Sequence, residues 1–513
     1  MYRTAALLVG KDTPILPALE ASAKLVRDVM YVPLTLNSSQ GTPHVAKRSL
    51  ELLYQYGNRH NPSLDIRILL PISGYSTSSY PPLSFKVDAL LSTCHNQESA
   101  VSLPSYDYLK SRSVDVANTP FIHINTDTNT HNTTNITYTV DTSSYNTVAL
   151  GGTFDRIHGG HNLLLTYSAN VCDKKVIVGV SDGPLLVNKA LAELIEPISD
   201  RIKVVQDFLT DVKPTLHQDV VAINDMFGPA GWDPDIDCLV VSQETAKGGD
   251  IINDERQKKG LKTLLIETID LVKAEEGCDK LSSTDLRKKL LGEYQHVKGS
   301  QCAAYNPQTG PFIIGLTGGI ASGKSSISKR LSNLGAFTVD CDKLGHQAYN
   351  PGTDCFKSLV EQFGPDIVNK EGMIDREILG GIVFSDKIKM TQLTSIVWPE
   401  IWRLAHQQII NAWDQGYKVC VVDAAVLLEA EWDQYLHEVW VTVVPPREAL
   451  HRVMERDGVT EEAAKRRIDA QLSNRVKVDK ANVLLSTLWQ PEESQKQVEK
   501  AWSLMQQRLL NFK

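Results

Sequence analysis

The chain of 513 residues lacks most of the features that mark membrane, secreted or zinc-binding proteins. No apolar run approaches the ~20 residues needed to cross a bilayer. The N-terminus mixes acidic with basic residues and has no apolar signal-peptide core. The eight cysteines are scattered without a C-x-x-C pair, which argues against a zinc module or a disulfide framework. We therefore expect a cytoplasmic protein with reduced thiols.

The chain also lacks an excess of positive charge, because its formal net charge is −8. No global basic field is present to attract nucleic acid or an anionic membrane surface, so anionic ligands need local sites. The composition is ordinary for a globular protein, with 42% hydrophobic and 22% charged residues. The length is too great for one core and predicts about two to four domains.

Composition and patterning divide the chain into five parts, at 1–124, 125–146, 147–297, 298–310 and 311–513. The first part mixes short apolar runs with proline clusters and predicts a small, partly folded α/β unit of unknown role. The second part, rich in Asn, Thr and Ser, and the fourth part are predicted to be linkers. The third and fifth alternate apolar strands with helical patterns. The predicted class is α/β, with two doubly wound parallel-sheet domains behind a poorly defined N-terminal region.

The most specific motif lies in the fifth part, where an apolar run ends in the sequence G-x-x-x-x-G-K-S. Glycines let backbone N–H groups point at a polyphosphate, and the following helix N-terminus adds partial positive charge. Lys324 can reach the outer phosphates, and the Ser325 hydroxyl can ligate magnesium. The alternative, a glycine-rich turn that binds nothing, is disfavoured by the strand before it and the helix after it. The predicted ATP-binding loop is Gly318, Gly319, Ile320, Ala321, Ser322, Gly323, Lys324 and Ser325.

Acidic and basic residues accompany this loop further along the chain. Asp340 and Asp342 follow the next strand, where one carboxylate could accept a proton and the other could help to hold magnesium. A turn rich in aspartate is the alternative. Arginines at helical spacing between 447 and 467, among them Arg452, predict a mobile lid that neutralises a transferring phosphoryl group. A solvated helix of mixed charge is the alternative there.

The third part opens with a strand that runs into the sequence H-G-G-H. His158 and His161 could both face one bound phosphate, and the glycines between them let it approach the backbone. Alone this motif is weak, and a metal pair or two surface histidines are alternatives. Two companions favour a phosphate site, G-T-F-D at 152–155 and S-S-T-D-L-R at 282–287.

As a set, these motifs resemble the nucleotidyltransferase superfamily of adenylyl- and cytidylyltransferases. Such enzymes join a nucleotide to a phosphate-bearing substrate, and cationic groups stabilise the charge that builds on the α-phosphate. Lys189 is a candidate second cation, with a solvated helix lysine as the alternative. The resemblance implies that the residues at the acceptor and nucleotide phosphates are Thr153, His158, His161, Ser283, Thr284 and Arg287.

The fifth part resembles the dephospho-CoA kinase family. The resemblance rests on the phosphate loop, V-D-C-D at 339–342, D-A-A-V-L-L-E at 423–429 and an R-x-x-x-Q pattern that ends at Gln471. It implies that Asp340 is the base for the ribose 3′-hydroxyl of dephospho-CoA. Bacterial members often carry His-Pro where this chain has Trp398-Pro399, so a role of that position at the acceptor stays open.

The order of the two parts resembles bifunctional coenzyme A synthases. The resemblance implies adenylyl transfer from ATP to 4′-phosphopantetheine, followed by ATP-dependent phosphorylation of the dephospho-CoA product, with magnesium in both steps. It covers about residues 146–513. It also implies association with the mitochondrial outer surface, and residues 1–124 leave room for a protein or membrane-surface partner. The alternatives are another nucleotidyltransferase fused to a nucleoside-monophosphate-type kinase, and a scaffold with residual nucleotide binding.

Overall fold

The computed structural model describes residues 1–9, 14–34, 45–59, 61, 63–70, 80–124, 144–270, 282–297, 304–383 and 386–510. Most of the two predicted linkers lies outside these residues. The described chain forms three five-stranded sheets whose strands all pair in parallel. The predicted α/β class is confirmed. The chain divides into two compact units, Met1–Val187 with Ile195–Leu286, and Asn188–Leu194 with Arg287–Lys513.

The N-terminal region contains a complete parallel sheet with strand order β3-β2-β1-β4-β5. This sheet is more regular than the partly folded unit that the sequence predicted. Its strands read as buried runs, such as residues 4–8 of the first strand, and therefore suit a sheet that is covered on both faces. The elements are β1 Tyr2–Leu8, α1 Ile15–Ala23, β2 Val26–Pro33, α2 Lys47–Asn58, β3 Asp65–Leu69, β4 Ala89–Ser92, α3 Gln97–Val101, α4 Pro104–Ser111 and β5 Phe121–His123.

The second sheet has the order β10-β9-β6-β7-β8, which is the connectivity of the first sheet repeated. In both, the first strand of the domain lies in the centre and the chain then moves outward to either side. That point of reversal is where doubly wound sheets bind ligands. The elements are β6 Tyr145–Gly152, α5 Gly159–Val171, β7 Cys172–Ser181, α6 Ile198–Val212, β8 His217–Ile223, β9 Cys238–Ser242, α7 Ala246–Lys258, β10 Leu265–Ile269 and α8 Ser283–Lys289.

One hydrophobic core joins these two sheets within the first unit. It contains Leu50 and Leu53 of α2 together with Leu163 of α5 and Phe208 of α6, all of them without solvent exposure. Helices α2 and α5 pack against each other, and β3 contacts both α5 and α6. The N-terminal sheet is therefore part of the same folded body as the H-G-G-H helix.

A buried carboxylate adds a polar connection between the two sheets. Asp211, in the last turn of α6, is fully buried and pairs with the guanidinium groups of Arg67 and Arg112. The Tyr31 hydroxyl donates to it over 3.0 Å and the Ser84 N–H over 2.9 Å. A carboxylate at a helix C-terminus is opposed by the helix dipole, so these donors must compensate for both burial and position.

The third sheet, in the second unit, has the order β12-β13-β11-β14-β15, with the strand of the phosphate loop in the centre. Trp398 and Pro399 lie inside α13, and Trp398 packs against the core. The elements are β11 Phe312–Gly318, α9 Lys324–Asn333, β12 Phe337–Asp340, α10 Cys341–Gln347, α11 Asp354–Phe363, α12 Arg376–Val383, α13 Lys387–Asp414, β13 Val419–Asp423, β14 Glu438–Val443, α14 Pro446–Asp457, α15 Glu461–Asp469, α16 Asn474–Asp479, β15 Val483–Ser486 and α17 Pro491–Leu510. No helix among the described residues is long and apolar enough to cross a membrane.

We predict that Asp211→Ala destabilises the first unit by about 3 kcal/mol or more, because the buried Arg112 loses its carboxylate and the buried Arg67 keeps only Asp65. Urea unfolding of the full-length chain measures the change. Asp207→Ala is the matched control, since Asp207 lies one turn earlier on α6 and pairs with the exposed Lys203. Its loss should stay below about 1 kcal/mol. Equal losses in the two variants would contradict a structural role for the buried carboxylate.

Candidate functional site

The phosphate loop joins the central strand β11 to helix α9 in a tight turn. Gly323, the residue before the helix, has a left-handed φ of 85°, which glycine adopts without strain. A methyl group on Gly318 would overlap the Thr442 hydroxyl and lie 2.5 Å from the Ser322 Oγ. The motif glycines are therefore required both by backbone conformation and by packing.

The loop forms the floor of an open cavity of about 650 Å³. This volume falls in the range of small-molecule sites in proteins. Besides residues 318–325, its lining comprises Asp342, Ala425, Arg452, Glu455, Arg456 and Gln471. The structure thus brings together the predicted loop, one of the two predicted carboxylates and the predicted arginine.

Carboxylates surround Lys324 at the carboxyl edge of the third sheet. Its ammonium group forms an ion pair with Asp423 and lies 3.6 Å from Asp342 Oδ2. Asp423 ends β13 and stands in register with Asp340 at the end of the neighbouring strand β12. Asp423 begins the D-A-A-V-L-L-E motif, and no role was predicted for it. The sequence nevertheless contained a signal for such a role. Asp423 ends an apolar strand, and the carboxyl ends of parallel strands lie at the edge of the sheet where ligands bind.

Asp340 forms the N-cap of α10 and is held by one neighbour. Its side chain accepts the Lys343 N–H at 3.1 Å and pairs with the Lys343 ammonium at 2.9 Å. Partial burial acts to raise the pKa of this carboxyl, but the hydrogen bonds from Lys343 and the Lys343 and Lys324 charges outweigh burial and lower it. Asp340 is therefore ionised at neutral pH, as a general base must be.

Ser325 begins the first turn of α9 directly after Lys324. Hydroxyl and carboxylate oxygens are the donors that Mg²⁺ prefers, and Ser325, Asp342 and Asp423 supply that chemistry here. No group of three or more His, Cys, Asp or Glu side chains in the described ranges is arranged to hold a metal by itself. That finding is compatible with a Mg²⁺ ion that takes much of its coordination from phosphates and water.

Arg452, in α14, forms part of the cavity wall near the loop. Its guanidinium donates to Thr487 Oγ1 and to the Thr487 carbonyl at 2.8 Å each, and pairs with Glu448. The Thr487 hydroxyl in turn donates to the Ser322 carbonyl of the loop at 2.9 Å. Sequence reasoning missed Thr487, because one threonine after a strand carries no motif.

A second side chain supports the loop from the opposite side. The Gln471 Oε1 accepts the N–H of Ile320 at 2.7 Å. Arg456 and Arg467, from the predicted lid, both pair with Asp457 and hold α14 against α15. Whether this segment moves stays a prediction.

The H-G-G-H motif lies at the start of α5, after the central strand β6. His158 is the N-cap, and its Nδ1 accepts the Gly160 N–H at 3.2 Å. The His158 and His161 rings lie 4.0 Å apart between centroids, and Phe154 packs against His161 at 5.3 Å. The two predicted imidazoles are thus adjacent at a helix N-terminus, where an anion is favoured.

A buried arginine anchors the strand ends beside these histidines. Arg201 of α6 is 1% exposed and donates to the carbonyls of Thr153 and Ser181 at 2.9 and 2.8 Å. Asp155 is fully buried and accepts the Glu196 N–H at 3.0 Å. The predicted residue Thr153 therefore sits in a turn that α6 and its leading segment hold in place. Arg201 was not predicted, because its role depends on contacts distant in sequence.

The remaining predicted residues of the first site lie at α8 and near residue 190. Ser283 and Thr284 begin α8 in the first unit, whereas Arg287 in the same helix is counted with the second unit. Arg287 is 2% exposed and its guanidinium donates to the Ala190 carbonyl at 3.1 Å. Lys189 is half-buried in a bend rather than in a solvated helix. Triphosphate roles for these residues stay predictions.

These two arrangements define the class of the protein. A phosphate loop on the central strand, with a cation and carboxylates at the sheet edge, defines the second unit as a P-loop kinase domain. The histidine turn on a doubly wound sheet defines a nucleotidyltransferase-like domain in the first unit.

Known proteins match both domains. Residues 312–488 match the dephospho-CoA kinase family model and residues 149–289 the cytidylyltransferase-like model. A dephospho-CoA kinase of Geobacter sulfurreducens is 39% identical over 191 residues, 37% of this chain and 97% of the relative. One from Oryza sativa subsp. japonica is 40% identical over 34% of this chain and 75% of the relative.

The phosphopantetheine adenylyltransferase of Saccharomyces cerevisiae is 40% identical over 162 residues, which are 31% of this chain. The match spans 52% of that relative, or about half of its length. Through its C-terminal domain, the chain belongs to the dephospho-CoA kinase family. The predicted resemblances of both domains are confirmed.

We predict that Thr487→Val weakens ATP binding at the phosphate loop by about tenfold, because the loop loses the hydroxyl that links Ser322 to Arg452. The affinity is measured by titration of a fluorescent ATP analogue into the full-length chain. Only the part of the binding that Lys324→Ala abolishes is attributed to this loop. Thr391→Val is the control, because that hydroxyl is exposed and bonded only to its own helix α13. Unchanged affinity in Thr487→Val would contradict the support role.

Proposed function

We propose that the chain catalyses the last two steps of coenzyme A biosynthesis, in the order in which its domains occur. The first step transfers the adenylyl group of ATP to 4′-phosphopantetheine and releases pyrophosphate. The second phosphorylates the ribose 3′-hydroxyl of the resulting dephospho-CoA with another ATP. The observation that carries the proposal is one chain with a nucleotidyltransferase domain related to a phosphopantetheine adenylyltransferase and a dephospho-CoA kinase domain.

In the first reaction, an oxygen of the 4′-phosphate attacks the α-phosphorus of ATP, and the bond to the pyrophosphate oxygen breaks. The attacking phosphate is already an anion, so no protein base is needed. We assign stabilisation of the charge on the α-phosphate to His161, His158 and the N–H groups at the start of α5. Thr153 would bind the acceptor phosphate. The adjacent rings and the helix N-terminus support this assignment.

In the second reaction, the 3′-oxygen attacks the γ-phosphorus of ATP and its proton passes to a carboxylate. We assign that role to Asp340, whose lowered pKa keeps it ionised. Its bond to Lys343 must open for the proton to be accepted. Lys324 and Arg452 would neutralise charge on the transferring phosphoryl group, and the loop N–H groups would hold the β-phosphate.

Mg²⁺ would be held by Ser325 with Asp342, beside Asp423, and would neutralise negative charge on the ATP phosphates. Lys324 contacts both Asp342 and Asp423 in this structure, so its ammonium group fixes the positions of their carboxylate oxygens.

We assign the first reaction to residues 147–297 and the second to residues 311–513. We also propose that the chain acts in the cytoplasm or at the mitochondrial outer surface, and that residues 1–124 bind a partner.

The test of the reaction pair is incubation of purified full-length chain with 4′-phosphopantetheine, ATP and magnesium. Mass spectrometry should find dephospho-CoA and then coenzyme A. Products from CTP or another acceptor instead would favour a different transferase pair.

We predict that Lys324→Ala stops coenzyme A formation while dephospho-CoA accumulates, since only the second site loses its phosphate-binding cation. Time-resolved product analysis measures both species. Lys329→Ala, an exposed lysine of the same helix α9, is the control and should retain both steps. Loss of dephospho-CoA formation in folded Lys324→Ala would contradict two separate sites.

We predict the reverse pattern for His161→Ala. Adenylyl transfer should fall by about a hundredfold or more, as expected when a group that stabilises the transition state is lost, whereas added dephospho-CoA is still phosphorylated. His217→Ala serves as the control, because His217 is an exposed residue at the start of β8. Normal adenylyl transfer in His161→Ala would show that His161 is not part of the first site.

A further inference from the structure

Helix α5 carries a polar stripe that the proposed chemistry does not use. Asn162, Thr166 and Asn170 recur every four residues along the helix, so they lie on one face. Their exposed fractions are 0%, 0% and 4%. Buried polar side chains require hydrogen-bond partners, and a nucleotidyltransferase domain that stood alone would leave this face open to solvent.

The N-terminal domain supplies these partners along the whole helix. Asn162 donates to Asp65 Oδ1 and to the Ile66 carbonyl, at 3.0 and 3.2 Å. The Thr166 hydroxyl bonds to that of Tyr54 at 2.7 Å. The Asn170 amide exchanges two bonds with the backbone of Val45, at 2.8 and 2.9 Å. Hydrogen bonds therefore fix the start, middle and end of α5 to the N-terminal domain.

The contact continues into the motif itself. A methyl group on Gly159 would overlap the Asn58 Nδ2 and lie 3.1 Å from the Asn58 Cγ. Asn58 is the last residue of α2, and its Nδ2 donates to the Tyr54 carbonyl at 2.9 Å. Its Oδ1 is buried and has no hydrogen-bond partner among the described residues. Asn58 is thus held by its own helix directly against the histidine turn.

This contact accounts for a glycine that the motif does not demand. The pattern H-x-G-H fixes Gly160 but leaves position 159 open, and Gly159 has no left-handed backbone angle that would require glycine. What excludes a side chain at 159 is Asn58. The cytidylyltransferase-like match begins only at residue 149, so Asn58 comes from outside the matched domain.

We propose that the N-terminal domain positions the histidine turn of the first site, through the hydrogen bonds along α5 and the close contact between Asn58 and Gly159. The inference rests on the proposed adenylyl transfer. His158 and His161 flank Gly159 and its neighbour, so a shift of α2 against α5 displaces both imidazoles together. At a reacting centre, a displacement of about 1 Å is enough to lower the rate about a hundredfold.

A double-mutant cycle in the full-length chain tests the inference. Gly159→Ala should lower kcat for adenylyl transfer by about tenfold, because the added methyl group meets Asn58. Asn58→Ala alone should change kcat by less than about threefold, and the double variant should recover to within about threefold of the parent, as compensating neighbours do. Phosphorylation of added dephospho-CoA should be unchanged throughout, which verifies folding of the second unit.

A further pair approaches the contact from the other side. Asn58→Gln adds one methylene group against Gly159 and should lower kcat several-fold. Asn61→Gln should have no effect, because Asn61 is half-buried after α2 and its amide bonds to the Val26 and Arg27 carbonyls rather than to the histidine turn. If Gly159→Ala does not fold, the comparison of Asn58→Gln with Asn61→Gln tests the inference instead. Parental activity in Gly159→Ala and Asn58→Gln, or no recovery in the double variant, would overturn the inference. Absence of adenylyl transfer in the parent chain would instead overturn the proposed function.

Discussion

Both proposed phosphate sites depend on one constraint, a helix that starts directly after a parallel strand and presents its first N–H groups there. In each case the strand is the central one of its sheet, and glycines at the helix start or directly before it let a ligand approach the backbone. The two domains differ in what they add to this start. The first adds two imidazoles, and the second adds an ammonium group among three carboxylates.

That difference matches the chemistry of the two acceptors. A phosphate acceptor is ionised at neutral pH and needs no base, so imidazoles and backbone donors around the α-phosphate are sufficient. A ribose hydroxyl must lose a proton, and Asp340 stands at the strand end where such a proton can go. Lys343 lowers the pKa of that carboxyl. The carboxyl therefore stays ionised, but it is also a weaker base. Release from Lys343 in the substrate complex would restore its basicity.

Sequence reasoning located correctly those parts of the fold that adjacent residues define. The phosphate loop, the histidine turn and Asp340 each follow a strand within a short motif, so local pattern and chemistry agree. It failed where a contact joins distant parts of the chain. Arg67 and Asp211 are 144 positions apart, and neither belongs to a motif. Thr487 supports a loop 165 positions away. The N-terminal sheet was predicted only as a small, partly folded α/β unit, because proline clusters interrupt its apolar runs and no chemical motif lies among them.

The second unit shows that domains defined by sequence and by packing need not coincide. Residues 188–194 and the segment from Arg287 onward fall within or beside the nucleotidyltransferase match, yet they fold with the kinase domain. Asn474 of α16 donates to Glu193 Oε1 at 2.8 Å, and its Oδ1 would lie 3.5 Å from a methyl group on Gly319 of the phosphate loop. The Asn474 side chain therefore bonds to the segment that carries Lys189 and lies beside the phosphate loop. Because Lys189 and Arg287 fold with the second unit, an effect of their substitution on adenylyl transfer identifies a phosphate-binding role only if phosphorylation of dephospho-CoA is intact in the same variant.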